Sequence, residues 1–466
     1  MKQILLTTLL IFIPMLANAE TVEIKGIWYN LVPKAKEAEV TWNPNAGHYS
    51  GFYSGSVEIP ISVTHNDIEY IVTSIDEFAF EFCSGLKSIS IPPSVKFIGE
   101  HAFWGCSGLT SVAINDIAAW CNIIFDGDSS NPLQCGHLYF DGKEITNLII
   151  PTGVTSISSS AFSGCIGLKS VSIPNSVASI GSSAFYGCSG LNSVSIPPSV
   201  EIIGVQAFWG CSGLTSITVP NSVTSISNGV FAQCSGLTSV NIPNSVSSIG
   251  NSAFYGCSGL TSAVIPNSVE SISGSAFENC SGLKSISIPN NVSSIGSWSF
   301  KNCTSLTTVN IGSSVVSIGE LVFANCDELT DVYCFADQVP GTSPDAFQDS
   351  YPKYMTLHVP AASIEVYQSS APWSQFKAIV PLDDGDNPEI QKCATPEISY
   401  ENGKVKFACE TEGVDFISEV TVGDAKKYYD SEFTLSQTYK ISVYAIKAGF
   451  YNSETTTREI EIKGDN

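Results

Sequence analysis

Cysteine is the residue type with the widest chemical reach in this chain, and its spacing narrows what it does. Cys165, Cys188, Cys211, Cys234, Cys257, Cys280, Cys303 and Cys326 follow one another every 23 residues, as do Cys83 and Cys106. Fifteen cysteines suggest disulfides, thiolate–metal binding or a nucleophile. No C-x-x-C pair exists, so thiolate metal ligation has no spacing to support it. The Gly105-Cys106-Ser107-Gly108 pattern returns around Cys188, Cys211 and Cys257, and a nucleophile is not needed once per repeat. It reads as a turn.

Stacked, equivalent cysteines bring Cα atoms into disulfide range, but parallel Cβ atoms stay about 5 Å apart where a bridge needs about 3.8 Å. The ladder therefore reads as buried thiols packing as small hydrophobes. Five cysteines lie off it: Cys121, Cys135, Cys334, Cys393 and Cys409. Cys121 and Cys135 share one stretch, where a disulfide would staple it. Cys393 and Cys409 flank a hairpin, but pairing Glu401 with Lys404 sets residue 412 opposite Cys393, three residues out of register.

Other chemistry finds no constellation. His48, His65, His101, His137 and His358 are scattered, with no H-E-x-x-H spacing, and no G-x-S-x-G, P-loop or dinucleotide fingerprint appears. Asp126-Gly127-Asp128 and residues 383–387 supply oxygen donors but complete no EF-hand loop, and read as solvated loops. The expectation is a chain without catalytic, metal-binding or cofactor-binding residues, and not an enzyme.

Aromatic side chains are the sharper candidates. The residue after a recurring Phe is Trp104, Tyr186, Trp209 or Tyr255 in four repeats, but Ala232, Glu278 or Lys301 in others. A core position would not tolerate that range. The four rings are thus candidate ligand contacts on a discontinuous, partly exposed strip, of the kind that anchors protein or sugar. The reading favoured over this is that each ring folds back over its own turn and covers the Phe.

These residues must be positioned by repeats. The 243 residues from Cys83 to Cys326 hold ten periods and 13 further residues, so one repeat carries an insertion, within 115–142. A fixed period of this length means a solenoid. In the repeat 187–209, Val194 and Ile196 alternate with Ser193 and Ser195 as a short strand, which Pro197 ends. Val200 and Ile203 point inward from a second extended piece, Gly204 permits the turn, and Phe208 fills the interior. Phe103, Phe162, Phe185, Phe208, Phe231, Phe254, Phe277, Phe300 and Phe323 make a core ladder. The outward strand residues, Lys169, Ser170, Ser172, Asn192, Ser193, Ser195, Thr215, Ser216, Thr218, Thr238, Ser239 and Asn241, form a flat, hydroxyl-rich face.

The chain has 466 residues and a formal net charge of −23, with 14% charged and 43% hydrophobic residues. That charge argues against nucleic acid and anionic lipid as partners. Lys2, an apolar run over 4–16 and Ala17-Asn18-Ala19 read as a cleaved leader, whose loss takes the charge to −24. No membrane insertion is expected of the mature chain. The domain reading is 1–19 signal peptide; 20–70 N-terminal cap; 71–381 solenoid with a C-terminal cap; 382–393 linker; and 394–466 a small β-sandwich, signalled by the Asn402-Gly403 hairpin.

The repeat I-P-x-S-V-x-S-I-G-x-x-A-F-x-x-C-S-G-L, seen in varied form over 196–214, resembles the BspA-like leucine-rich repeat. Residues 118–151, with Trp120 and Asn131-Pro132, resemble the family's longer coil, and 359–373 its C-terminal cap. Residues 393–450 resemble a β-sandwich tail, of immunoglobulin or fibronectin-III type, found on exported proteins of Bacteroidetes-type bacteria. The resemblance implies a secreted or cell-surface protein, mainly β, that binds or adheres to an extracellular protein of matrix or host surface. The alternative is a glycan-binding accessory of polysaccharide processing.

Overall fold

The structure, a computed structural model, describes residues 20–46, 51–135, 137–382 and, in the tail, 394–401, 404–411, 415–422, 426–429, 433–446 and 456–463. The expected leader and most of the linker, with Cys393 and the acidic cluster after Leu382, lie outside the described residues. The array is a β-solenoid of 23-residue coils. The chain divides into two units: one runs to Thr238 and includes Gly250–Gly259 and Ala276–Cys280, the other holds Ser239–Ile249, Leu260–Ser275 and everything from Ser281.

The first unit opens with an antiparallel meander, Glu20–Ile24, Ile27–Val32 and Glu37–Thr41. Pairing then turns parallel: Glu37–Thr41 to Ile68–Ile75, on to Phe97–Ile98 and Ile124–Phe125. A second parallel ladder joins Gly55–Glu58, Leu86–Ile91, Ser111–Ile114 and His137–Phe140. Two strands of residues 20–70, Glu37–Thr41 and Gly55–Glu58, thus already pair in parallel with strands beyond residue 70.

The inserted residues break both ladders. They form the helix Ile117–Cys121, which Asp116 caps by accepting the Ala119 N–H, and a hairpin of His137–Phe140 with Lys143–Glu144. Trp120 is buried here and donates its Nε1–H to Ala161 O at 2.7 Å, while the Asn131 amide donates to Ser160 O and Ala161 O. Beyond it the ladders resume with a shift of one period: Ser170 opposite Ser193, and Ile157, Ile180 and Ile203 in line.

The second unit repeats this arrangement. Ser248–Ile249, Ser271–Ile272, Ser294–Ile295, Ser317–Ile318 and Gly341–Thr342 pair in parallel, as do Ser285–Ile288, Thr308–Ile311, Asp331–Cys334, Thr356–Val359 and Ala378–Pro381. Tyr367 and Trp373, fully buried, close the last coils; Tyr367 donates to Ala336 O and Trp373 to Thr342 Oγ1. The tail holds the hairpin Glu397–Glu401 with Lys404–Ala408, and a sheet of Asp415–Val422, Lys426–Tyr429, Phe433–Ile446 and Thr456–Lys463. Ile398, Ile441, Val443 and Ile460 form its core.

The interior follows from like residues meeting like. Phe162, Phe185, Phe208, Phe231, Phe254 and Phe277 stack in one file with centroids 5.1–5.8 Å apart and ring planes within 21°. Phe80 with Phe103, and Phe300 with Phe323 and Phe347, add members beyond the Phe103 and Phe323 expected as first and last. Burying one such ring is worth about 1.5–3 kcal/mol.

The ladder cysteines are all free buried thiols, and several also act as donors. Cys188, Cys211, Cys234 and Cys257 each direct Sγ at the carbonyl of the ladder Phe one coil back, at 3.1–3.2 Å. The reading as buried thiols holds, and each of these four also adds a second donor to a carbonyl that already accepts a backbone N–H. Cys121 is free too, so the staple to Cys135 is not formed. In the tail, Glu401 does pair with Lys404, and Cys409 donates to Ala394 O instead of entering a disulfide.

Gly204 is needed for a different reason from the turn expected of it. A Cβ there would sit against the Ser182 backbone N of the preceding coil. Close approach of coil to coil, not an unusual dihedral, requires glycine.

Candidate functional site

Each coil bends sharply on both sides of its ladder Phe. The residue two before is left-handed at Ser160, Ser183, Gln206, Ser252, Ser275 and Trp298, and the residue two after is left-handed at Gly164, Gly187, Gly210, Gly256, Asn279 and Asn302. These bends bring the residue after the Phe to the rim. Between coils, N–H groups of this bend donate forward: Ser183 N to Val205 O, Phe185 N to Ala207 O and Gly187 N to Trp209 O, at 2.7–2.9 Å. The rim is therefore as regular as the strands. Sequence reasoning missed the paired bends; the Gly or Asn two after most ladder Phe residues was their signal.

On this rim Tyr186 and Trp209 stack with centroids 6.3 Å apart and planes 18° apart. Trp209 also stacks on Tyr255, at 6.4 Å and 22°. The expected gap between Trp209 and Tyr255 is thus closed, and the strip is continuous across these three rings. Ala232, on the intervening coil, is fully buried, and the indole lies against Gly229, where a Cβ would stand 2.9 Å from Trp209 Cε3. Tyr186 keeps 39% of its surface exposed, while Trp209 and Tyr255 are half-buried.

Trp104, 47% exposed, contacts a different set of rings: His101 at 5.0 Å and Phe82 at 5.1 Å. The strand face is exposed at Asn192, Ser193, Ser195, Thr215 and Ser216. Asn241 is the exception and corrects the outward set, being buried to 7% exposure. Hydroxyls on this face bond along the array: Ser170 Oγ donates to Asn147 Oδ1 at 2.6 Å and Thr238 Oγ1 to Thr215 O at 3.2 Å.

His65, His101, His137 and His358 each face one carboxylate, Glu20, Glu100, Glu144 and Asp331, at 3.4, 3.8, 2.6 and 3.2 Å. Among the described residues no cluster of three His, Cys, Asp or Glu could hold a metal ion. Burial pushes the Cys165, Cys234 and Cys326 thiols up to about 12, which holds them protonated and weakly nucleophilic at neutral pH. No helix among the described residues is long and apolar enough to cross a membrane.

Several solved structures are similar to this chain, among them the following three. One is a leucine-rich repeat protein from Bacteroides ovatus, 24% identical, covering 80% of this chain and 93% of that one, with a TM-score of 0.49. A leucine rich cell surface protein from Faecalibacterium prausnitzii is 28% identical over 68% of this chain and 94% of that one, TM-score 0.44. The pneumococcal vaccine antigen PcpA is 16% identical over 78% and 99%, TM-score 0.43. No curated protein matches. The family profile described as the BspA type leucine rich repeat region matches six copies, over residues 59–130, 134–261 and 247–371, which is more than half of the chain. The chain belongs to the BspA-type leucine-rich repeat family.

Proposed function

We propose that this chain is a non-enzymatic, exported binding protein that recognises an extracellular protein, of matrix or host surface, through the rim of its repeats. The observation that carries the reading is the Tyr186–Trp209–Tyr255 stack, three partly exposed aromatic side chains held rigidly by backbone hydrogen bonds between coils. Rigid aromatic anchors bind at low entropic cost and dominate protein interfaces. A similar solved protein bears the description of a leucine rich cell surface protein, which agrees with an exported role.

The glycan alternative draws less support from these rings. Sugars stack on open ring faces, whereas face-to-face stacking of Trp209 with Tyr186 and Tyr255 occupies ring faces.

The test is capture of purified matrix proteins and host-cell surfaces by chain 20–466, beside a glycan array. Binding to a protein that falls about tenfold or more in Trp209→Ala, a hot-spot-sized loss, is the expected result. Binding to no protein or cell surface overturns the reading. Sugar binding lost in Trp209→Ala and Tyr186→Ala replaces it with the glycan reading.

A further inference from the structure

The coil that meets the C-terminal cap departs from the repeat. Thr308 pairs with Asp331, 23 residues on, but Asp331 pairs with Thr356, 25 residues on, so this coil carries two extra residues. Ser350 takes the ladder-cysteine position: its Oγ donates to Phe323 O, one coil back, and accepts the Cys326 N–H at 2.8 Å. On either side of this buried anchor Asp349 and Tyr351 are left-handed, at φ of 60° and 58°. The chain then winds into the short 3-10 turn Pro352–Tyr354. A tyrosine held at a dihedral that favours glycine stores strain, and such strain collects at binding sites.

The lengthened coil and the cap enclose a cleft of about 530 Å³. Small-molecule sites span roughly 300–1,000 Å³. Phe347 and Pro352 supply apolar wall, and the turn Trp373–Gln375 brings Gln375 from the cap. Tyr351 lines the cleft too, is 53% exposed, and among the described residues stacks on no other ring. Asp345 accepts from Ser343 Oγ at 2.6 Å and Asp349 from Gln348 Nε2 at 3.3 Å. A carboxylate has about four acceptor sites, so both keep capacity for a ligand. Lys353 completes the lining, its ammonium 5.1 Å from the Tyr354 ring.

An aromatic ring covers the C–H face of a sugar, while carboxylates and amides accept from and donate to its neighbouring hydroxyls. The lining carries both signs of charge, Asp345 and Asp349 against Lys353, so it selects by hydrogen bonding and shape more than by charge. We propose that this cleft binds a neutral saccharide unit, stacked on Tyr351 and hydrogen-bonded by Asp345, Asp349 and Gln375. The site uses no residue of the Tyr186 rim. It adds sugar recognition to the protein-binding reading without resting on it.

The probes are hexasaccharides of glucose, mannose, xylose and N-acetylglucosamine, with oligogalacturonate and a chitosan hexamer as charged counterparts. Each is titrated into chain 20–466 by calorimetry. At least one neutral hexasaccharide is expected to bind with a Kd of about 1 mM or tighter, the scale of one stacked ring with a few hydrogen bonds. Tyr351→Gly is expected to weaken that binding about fivefold and Gln375→Ala about threefold, while Trp209→Ala leaves it unchanged. Glycine suits the left-handed bend and the Gln375 side chain is exposed, so both variants retain the melting temperature while binding falls.

Binding to none of the neutral hexasaccharides overturns the proposal. So does unchanged binding in Tyr351→Gly, or tighter binding of either charged counterpart, which makes charge the selector. A loss in Trp209→Ala as large as in Tyr351→Gly moves the sugar to the rim and removes this site. If no sugar binds but a matrix or host-surface protein is captured through Trp209, this site falls and the general reading stands. If sugar binds through Tyr351 and no protein is captured, the general reading falls and this site stands.

Discussion

Trp209 and Tyr255 sit two coils apart, yet their rings stack with centroids 6.4 Å apart. The indole bridges the gap because the coil between offers Gly229 and the small Ala232 beneath it. A methyl at Gly229 would come 2.9 Å from the indole, tighter than van der Waals contact allows. Gly229→Ala should therefore displace Trp209, lower stability by about 1–2 kcal/mol for a left-handed residue under steric load, and alter the near-ultraviolet circular dichroism. Unchanged aromatic dichroism would mean that the stack does not depend on Gly229.

Phe208 tests the shared interior. It is fully buried, with Phe185 at 5.3 Å on one side and Phe231 at 5.8 Å on the other. Phe208→Ala should cost about 3–5 kcal/mol in urea unfolding, while Trp209→Ala, one residue along on the rim, should cost about 1 kcal/mol or less. Because the interior contacts of Phe208 are with the adjacent coils, faster hydrogen exchange should concentrate in the coils of Phe185 and Phe231.

The thiols give a chemical readout. Cys234 is fully buried, its Sγ lies 3.2 Å from Phe208 O, and burial pushes it up to about 12. Iodoacetamide at pH 8 should leave Cys188, Cys211, Cys234 and Cys257 unmodified in the native chain and label all four in denaturant. Cys409, only half-buried, should react first of the described cysteines. Non-reducing mass spectrometry that found a bridge between two ladder cysteines would contradict the free-thiol ladder.

The N-terminal meander should respond to pH. Glu39 is pushed up to about 7, first by burial and then by Asp76, despite donation from Asn30 and Ser74; burial raises Asp76 too. The folded state thus keeps a proton on Glu39 that the unfolded chain has lost, so stability is fully present below pH 4.5 and declines as pH rises to about 7. Solvent at its half-exposed edge screens the effect to the order of 1–2 kcal/mol. Hydrogen exchange in residues 27–41 should be slower at pH 5 than at pH 8, after correction for intrinsic rates, and Glu39→Gln should remove the difference. A wild-type difference equal to that of Glu39→Gln would assign the effect elsewhere.

Much of this was legible in the residues. Val200, Ile203, Leu191 and Phe208 are buried as their positions in the repeat demand, and Glu401 pairs with Lys404 as the hairpin signal demands. The paired left-handed bends were written in glycines and asparagines after most of the ladder Phe residues but disguised by serine, glutamine and histidine before them. Phe82 gave no sign of its exposure, since a phenylalanine beside a phenylalanine ladder reads as core. Asn241 misled in the opposite direction, since strand alternation alone assigned it to the outer face.

What composition and spacing determined by themselves is the stacking. Equal repeats of 23 residues force equivalent side chains onto neighbouring rungs, and burial of Leu, Val, Ile and Phe follows from their period. What tertiary structure decided is the direction of each rim side chain. Whether Trp209 folds over its own turn or reaches across Gly229 to Tyr255 depends on space left by another coil, and no local pattern encodes that space. The same holds for the thiols: their period is visible along the chain, but the carbonyl each one meets belongs to the coil before it.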